Sequence, residues 1–480
     1  MVSLLSNLLT SAGTLNAYNQ LLEVTQNNVA NSSTPGYARQ SQQLDALPLD
    51  IATGATGGVR AGVVQDFRDQ YAEQNVWRQT VLLGQANQNV SGLTAIQSLF
   101  DISGGTGIPK ALNSLLQSFS AWGQSPTDTG ARQTVIDHAT DLANAFQQAA
   151  TGLQSVEQDT NQKLRQTVDQ VNSLVGQLQG YNQQILGGDR NDAGLESHVY
   201  STLEQLSQYV DVTSTRQADG SVTVLLGAQT PLLIGAQQYA IASTFQQPDT
   251  PPPVYAQGPP QALILAADGT DITGKVTTGQ LGALLTLRNQ VLPSYIGDAY
   301  QPGDLNTMAK QFADRVNQLL TSGNVSDGPP AQAGVALFTY DTTNDTNVAK
   351  TLSVDPAVTP DQLAAIDPGP PEAANGIALA LSQLSNPRDT ADQVNGSSFT
   401  EFYGTMASRI GSALNSATSQ QQVQQASVAQ AQNLRKQSSG VDLDEEAMLV
   451  VEFERAYQAN ARLITVLNQL TQDTINMLGG

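Results

Sequence analysis

Side chains able to do chemistry are scarce in this chain. It has two histidines, His138 and His198, and no cysteine. The lack of cysteine removes thiol nucleophiles, thiolate zinc sites, iron–sulfur ligation and disulfide frameworks. Two imidazoles exclude a multi-histidine metal site within one chain. His138 sits at helical spacing, where a surface or packed residue is a plainer reading than a base. His198 has Glu196 and Tyr200 beside it, an acid–base group by composition with nothing else converging on it. The densest carboxylates are Asp442, Asp444, Glu445 and Glu446. A metal or catalytic cluster is the sharper reading, but a helix start explains them fully. Asp442 three residues before Glu445 is a capping-box pattern with Asp in place of Ser or Thr, and acids in a first turn suit the helix dipole. Gly104, Gly105 and Gly107 read as a loop before Pro109. HExxH, GxxxxGK[ST], GxSxG and GxGxxG motifs are all absent. The expectation is a protein that is not an enzyme and uses no metal or cofactor.

Composition narrows the partners. The 480 residues carry 21 Lys plus Arg against 42 Asp plus Glu, a formal net charge of −21. Such a surface repels a phosphate backbone, so nucleic-acid binding by counterion release is not expected. Charged residues are 13% of the chain, about half the ~25% of an ordinary soluble domain. Gln, Asn, Ser and Thr supply the polar surface instead. No Lys or Arg precedes Arg39, so the basic start of a secretory signal peptide is missing. No run of ~18 apolar residues occurs, so membrane insertion is not expected. The protein is either cytosolic or exported without a cleaved signal peptide, and a cysteine-free chain suits an oxidising exterior.

Proline maps the elements that position these residues. Four of the 21 prolines lie in residues 1–230, seventeen between Pro231 and Pro387, and none in 388–480. A proline inside a helix costs ~3 kcal/mol, so the two proline-poor ends are free to be helical. Leu8, Leu15, Leu22 and Val29 recur every seven residues at one end. Leu449, Ala456, Leu463, Leu470 and Met477 do so at the other, with Phe453, Tyr457, Val466 and Leu467 beside them. Both patterns are amphipathic and close to coiled-coil spacing. Residues 133–187 lack proline and keep helical spacing from Val135 to Leu178. As one helix, that stretch would span ~80 Å and imply a rod, with Gly152, Gly176 and Gly180 as points of weakness. The middle changes period. Residues 210–214 and 222–226 are β-branched runs flanking the turn Ala218-Asp219-Gly220, and 232–241 and 261–265 add candidate strands.

The predicted fold is mainly α with inserted β: an elongated helical-bundle rod, paired N- and C-terminal coiled-coil helices, and a small outer β domain. Its parts are an N-terminal inner helix (1–32), a first helical rod segment (33–209), an inserted β domain (210–279), return helices (280–322), a Pro-rich irregular insertion (323–375), a last rod segment (376–441) and a C-terminal inner helix (442–480). The proposed assembly interface is Leu8, Leu15, Leu22, Val29, Leu449, Phe453, Tyr457, Leu463, Leu467 and Leu470. The first helix stops at NNVANSSTPGYARQ (27–40). Asn31 is a poor continuer, Thr34 before Pro35 is pushed to extended geometry, and Pro35-Gly36 ahead of Tyr37 fits a type II turn. The asparagines Asn27, Asn28 and Asn31 are odd on an amphipathic helix; a solvated face is the plainer account, and hydrogen bonds between chains are the alternative.

The ANSSTPGY turn, with SGVDLDEEA and ERAYQANAR at the far end, resembles the terminal signatures of the bacterial flagellar axial proteins: rod, hook and hook-associated members. The continuation Tyr37-Ala38-Arg39-Gln40, the SGVDLDEEA opening of the last helix and the stretch ARQTVIDHATDLANAFQQAA (131–150) are most similar to the hook-associated member at the hook–filament junction. GQLGALLTLRNQVLPSYI (279–296) and TEFYGTMASRIGS (400–412) match its later parts in order. One departure is visible: where members carry an acidic-Leu-x-x-Arg-Asp pattern after the long helix, this chain reads NDAGLESHVYSTLEQL (191–206). The resemblance implies a structural subunit of the bacterial flagellum, polymerised into a tubular segment between hook and filament. It implies an extracellular location reached by flagellar type III export. The implied partners are other copies of the chain, hook protein, the second hook–filament junction protein and an export chaperone on the C-terminal helix. A hook or rod protein is the nearest alternative, disfavoured by the continuous long-helix stretch. A secreted adhesin or translocator with coiled-coil ends is the rival from another class.

Overall fold

The computed structural model describes residues 2–50, 55–100, 105–189, 192–328 and 330–479. Gly104, one of the loop glycines above, lies outside the described residues, as does Pro329 among the prolines of the irregular insertion.

The long proline-free stretch is one continuous helix. In chain order the helices are α1 (Val2–Asn31), α2 (Gln70–Gln97), α3 (Gly107–Gln124), α4 (Thr129–Gly187), α5 (Ala193–Tyr209), α6 (Gly279–Thr286), α7 (Pro293–Ile296), α8 (Asp304–Ser322), α9 (Val348–Thr351), α10 (Gly376–Gln383), α11 (Phe399–Ser439) and α12 (Leu443–Gly479). Helix α4 has 59 residues, roughly 90 Å at 1.5 Å each. Asp128 caps its start by accepting from the Gly130 amide. Gly152, Gly176 and Gly180 do not interrupt it.

Two cores sit along α4. The first gathers the N-terminal half of α4, with Leu142, Phe146 and Leu153, against α3, α8 and the start of α11, through Phe119, Trp122, Phe312 and Phe399. The second gathers its C-terminal half, with Leu164, Val171 and Leu178, against α5 and the strands. Helix α5 covers the segment that departs from the family pattern, and it buries Leu195, Val199, Leu203 and Leu206 in that second core.

The inserted β part has the hairpin that its turn predicts. Strands β3 (Val212–Arg216) and β4 (Val222–Leu226), counted after the two strands introduced below, pair antiparallel, and β5 (Thr230–Ile234) and β6 (Gln237–Gln238) extend the sheet. A separate pair, β7 (Ala242–Gln246) with β8 (Gln261–Leu265), frames a proline-rich loop at 247–260.

The structure differs from the sequence reading in two places. Residues within 33–209 are not all helical: β1 (Gln40–Asp50) and β2 (Ala55–Asp66) form a long antiparallel ribbon with a register shift at Gln42/Leu44. Strand β1 has no β-branched residue and includes Pro48, and β2 carries glycines at 57, 58 and 62, which hides the strand signal. The 280–322 stretch holds α6, α7 and α8, the chain turning between α7 and α8 at Gly297 and Gly303, both at positive φ. Helix does not resume unbroken at 376. Residues 384–398 intervene, with an Asn395-Gly396 turn at positive φ, and α11 restarts on a Ser398–Glu401 capping box.

The chain's two ends return to each other. Asn460 of α12 donates to the Ser11 carbonyl and Glu446 meets Asn28, so α1 and α12 run antiparallel. Below them α2 and α11 pair in the same sense, with Gln421 on Asn87 and Arg435 on Glu73.

Candidate assembly interface

The seam between α1 and α12 is narrower and more polar than the leucine rows suggest. On α1 the buried positions are Ser11, Ala17, Leu21, Thr25 and Asn28. Leu8, Leu15 and Leu22 flank them half-buried, and Val29 is exposed. On α12 the half-buried face includes Leu449, Phe453, Tyr457, Asn460, Ile464 and Leu467. Leu463 and Leu470 point away from α1 and stay 49% and 48% exposed. The buried positions on α1 are mostly small, hydroxylic or amide residues, so the seam runs beside the every-seventh leucines rather than along them. Of the stripe Leu463, Leu467 and Leu470, only Leu467 belongs to the contact within the chain.

At the base of the pair, one buried polar cluster ties three segments together. Asn28 is 1% exposed, not solvated as residue type suggests. Its Nδ2 donates to the Gln40 carbonyl at 2.8 Å and to Glu446 Oε2 at 3.0 Å. Its Oδ1 accepts from Tyr37 Oη at 2.9 Å and from the Gln40 amide at 3.0 Å. Every bonding position of that amide group is in use. Glu446 is itself 1% exposed and takes Arg39 Nε at 2.6 Å, while Glu445, at the surface, takes Arg39 Nη2 at 2.8 Å. Burial, with the Glu446 charge beside it, pushes the Tyr37 hydroxyl up to about 12. It is therefore a proton donor at any ordinary pH. Asp442 does cap α12, accepting from the Asp444 and Glu445 amides. Glu445 turns to Arg39 instead of closing a box.

The Pro35-Gly36 turn carries the chain from α1 to β1. Asn31 accepts from the Thr34 hydroxyl, and the Tyr37 amide closes the turn on the Thr34 carbonyl at 3.2 Å. Gly36 has φ +75°, and a Cβ there would stand 2.4 Å from the Ser197 carbonyl oxygen of α5. Only glycine fits both the angle and the gap. Beneath the turn, Arg68 donates to the Gly36 carbonyl at 2.8 Å, pairs with buried Glu73 at 2.7 Å and lies 3.8 Å over the Tyr200 ring. Arg435 of α11 joins Glu73 and Glu204 at 3.0 and 2.6 Å. An open groove of about 830 Å3 lies beside this network, between the turn and α2, α5 and α11. Among the charges that line it, Glu73 and Glu204 are matched by Arg435.

The chemistry-capable residues stay apart. His138 lies on α4 with Nδ1 3.5 Å from Asp141. His198 stacks on Tyr181, while Glu196 bonds to Arg216 on β3. Among the described residues no three His, Cys, Asp or Glu side chains come close enough to hold a metal. No described helix is long and apolar enough to cross a membrane. Sequence reasoning missed the pairing of Arg39 with Glu446. The only available signal was the first basic residue of the chain following the turn, set against the acidic opening of α12.

Comparison with known proteins matches this geometry. The family profile described as flagellar hook-associated protein FlgK helical domain matches residues 93–338. Two further profiles fall on the terminal helices: flagella basal body rod protein at 8–37 and the C-terminal segment of flagellar basal body rod FlgEFG proteins at 435–477. Flagellar hook-associated protein 1 of Bacillus subtilis is 24% identical, the match covering 100% of this chain and 99% of that protein. Its counterpart in Escherichia coli is 23% identical over 99% and 100%. Among solved structures, the flagellar hook junction protein FlgK of Burkholderia pseudomallei shares the fold, with a TM-score of 0.64 at 16% identity over 76% of this chain and 99% of that one.

Proposed function

This chain belongs to the flagellar hook-associated protein family of FlgK, and we propose that its paired terminal helices polymerise it into the junction between hook and filament. It is a structural subunit of the flagellum. The observation that carries the assembly reading is the outer face of the terminal pair. Leu5 and Leu9 on α1 and Met448, Val451, Leu463, Val466, Leu470 and Met477 on α12 stand exposed. Exposed apolar surface on this scale marks a contact site. It lies on the two segments that share profiles with rod proteins, which fits a terminal module common to subunits of one tube.

The remaining partners follow from the same face. A neighbouring copy and hook protein take it in the tube. An export chaperone takes the α12 face before assembly, and the second junction protein meets the finished segment. Export through the flagellar type III route belongs to the same reading. The hook or rod reading is the weaker one, because the matched helical domain is that of FlgK and covers the body of the rod. The test is imaging of intact flagella carrying a labelled chain. A short labelled zone at the far end of the hook is the expected result; label spread along the hook or the filament overturns the reading.

A further inference from the structure

The chain has two Asn-Gly steps, Asn375-Gly376 and Asn395-Gly396, and the fold holds them differently. In such a step the glycine backbone nitrogen can attack the side-chain carbonyl carbon of the asparagine. The two atoms belong to one short stretch of chain, and glycine has no Cβ to shield its nitrogen. Asn375 is tied down. Its Nδ2 donates to the Gly123 carbonyl at 2.7 Å, and its own carbonyl accepts from the Leu379 amide at 3.0 Å as α10 begins. The attacking atom is engaged as well, because the Gly376 amide donates to the Ala373 carbonyl at 3.1 Å. Asn395 has none of these ties. It is exposed, as is Gly396. Its side chain has no hydrogen-bond partner among the described residues, and no described backbone carbonyl takes the Gly396 amide. The two residues have φ of 50° and 80°. The Val394 amide donates to the Ser397 carbonyl at 2.9 Å and the Ser397 amide to the Val394 carbonyl at 3.1 Å. This is a two-residue turn of the kind that Asn-Gly favours. A Cβ built on Gly396 would meet nothing within 4 Å, so nothing crowds the nitrogen.

We propose that the Asn395-Gly396 turn is a site of spontaneous modification, where the asparagine converts to aspartate and isoaspartate while Asn375 is preserved. The Gly396 nitrogen gives up its proton to solvent base and bonds to Asn395 Cγ. The Cγ–Nδ2 bond breaks, ammonia leaves, and a five-membered succinimide ring is formed. Water then adds to either ring carbonyl and opens the ring. One opening restores the main chain with an aspartate; the other routes the main chain through the side-chain carbonyl carbon. No electron is transferred, and water is the co-reactant. The isoaspartate form places one extra carbon in the backbone of a turn built for two residues, so Val394 and Ser397 lose their pairing. The turn lies between two contacts that fix the start of α11. Ser398 after it caps α11 in the box with Glu401, and Asp392 before it holds Arg315 of α8 at 2.7 Å. The modification therefore loosens the first turn of α11. The site is a property of the single chain and does not rest on the assembly reading.

The test is ageing of the full-length chain in mildly alkaline buffer, native and in denaturant. The two Asn-Gly peptides are followed by mass spectrometry that separates aspartate from isoaspartate. In the native chain Asn395 is expected to convert about tenfold or more faster than Asn375, whose hydrogen bonds must break before the ring can close. In denaturant those bonds are gone and the two rates converge. Hydrogen exchange then reads the consequence: the isoaspartate fraction exchanges faster at the first turn of α11, while Asn395→Asp, with the charge but no extra backbone carbon, keeps the wild-type rate there. A native chain in which Asn375 converts as fast as Asn395 overturns the assignment. So does an Asn395 that stays intact in the native chain while converting in denaturant. Unchanged exchange at the start of α11 in the isoaspartate fraction overturns the proposed consequence.

Discussion

Removing the Glu446 carboxylate tests how the terminal pair is held. Glu446 is 1% exposed, bonded to Arg39 Nε at 2.6 Å and to Asn28 Nδ2 at 3.0 Å. Glu446→Ala deletes one buried charge-assisted bond and leaves one Asn28 donor without its carboxylate. Breaking a buried pair costs about 3–5 kcal/mol when the remaining charge is stranded. Arg39 is not stranded here, because it keeps Glu445 at 2.8 Å and its side chain is 20% exposed. The bond itself and the unsatisfied Asn28 donor then set the scale, about 2–3 kcal/mol. Glu446→Gln retains an acceptor for Asn28 and loses only the charge, so it falls below Glu446→Ala. The cost lands on one substructure, since neither core of the rod contains these residues. Hydrogen exchange resolved along the chain is the assay. Amides of α1 and α12 should exchange about 30–150-fold faster in Glu446→Ala, while those of α4 and α8 keep their wild-type rates. Equal protection of α1 and α12 in variant and wild type would refute the clasp. Loss of protection across α4 would show that the terminal pair and the rod form one cooperative unit.

Two further substitutions separate the turn from the outer face. Gly36→Ala forces a side chain into the 2.4 Å gap against Ser197 at φ +75°. A loss of about 1–3 kcal/mol in docking of the turn on α5 is expected, read as faster proteolysis at 32–39 with the rod's melting temperature unchanged. Leu463→Asp alters a side chain already half in water, so monomer melting should stay at wild type. Burying that carboxylate in the polymer costs several kcal/mol, so sedimenting polymer should be lost; a variant that assembles normally would remove Leu463 from the contact.

The parts legible in the sequence are those set by local physics. Proline placement and an unbroken helical period located α4 to within a few residues of its start. Asp219-Gly220 located the β3–β4 turn, and Pro35-Gly36 located the turn whose geometry the structure shows. Long-range polar pairing was not legible. Asn28 looks like a surface residue by type, and only the return of α12 gives it Glu446, more than four hundred residues away. The seam was misjudged for a related reason. Hydrophobic periodicity ranks leucines above serine, threonine and alanine, yet Ser11, Ala17 and Thr25 are the more deeply buried on α1. The ribbon at 40–66 escaped because its strands alternate weakly and draw their position from packing on α1.

A density map of the labelled zone at the far end of the hook tests the central claim most directly. The account predicts α1 and α12 antiparallel in the wall of the segment, Asn28, Arg39 and Glu446 still joined, and Leu463 and Leu470 covered by a neighbouring copy. Terminal helices that stand apart, or that pair with those two leucines left bare to solvent, would contradict it.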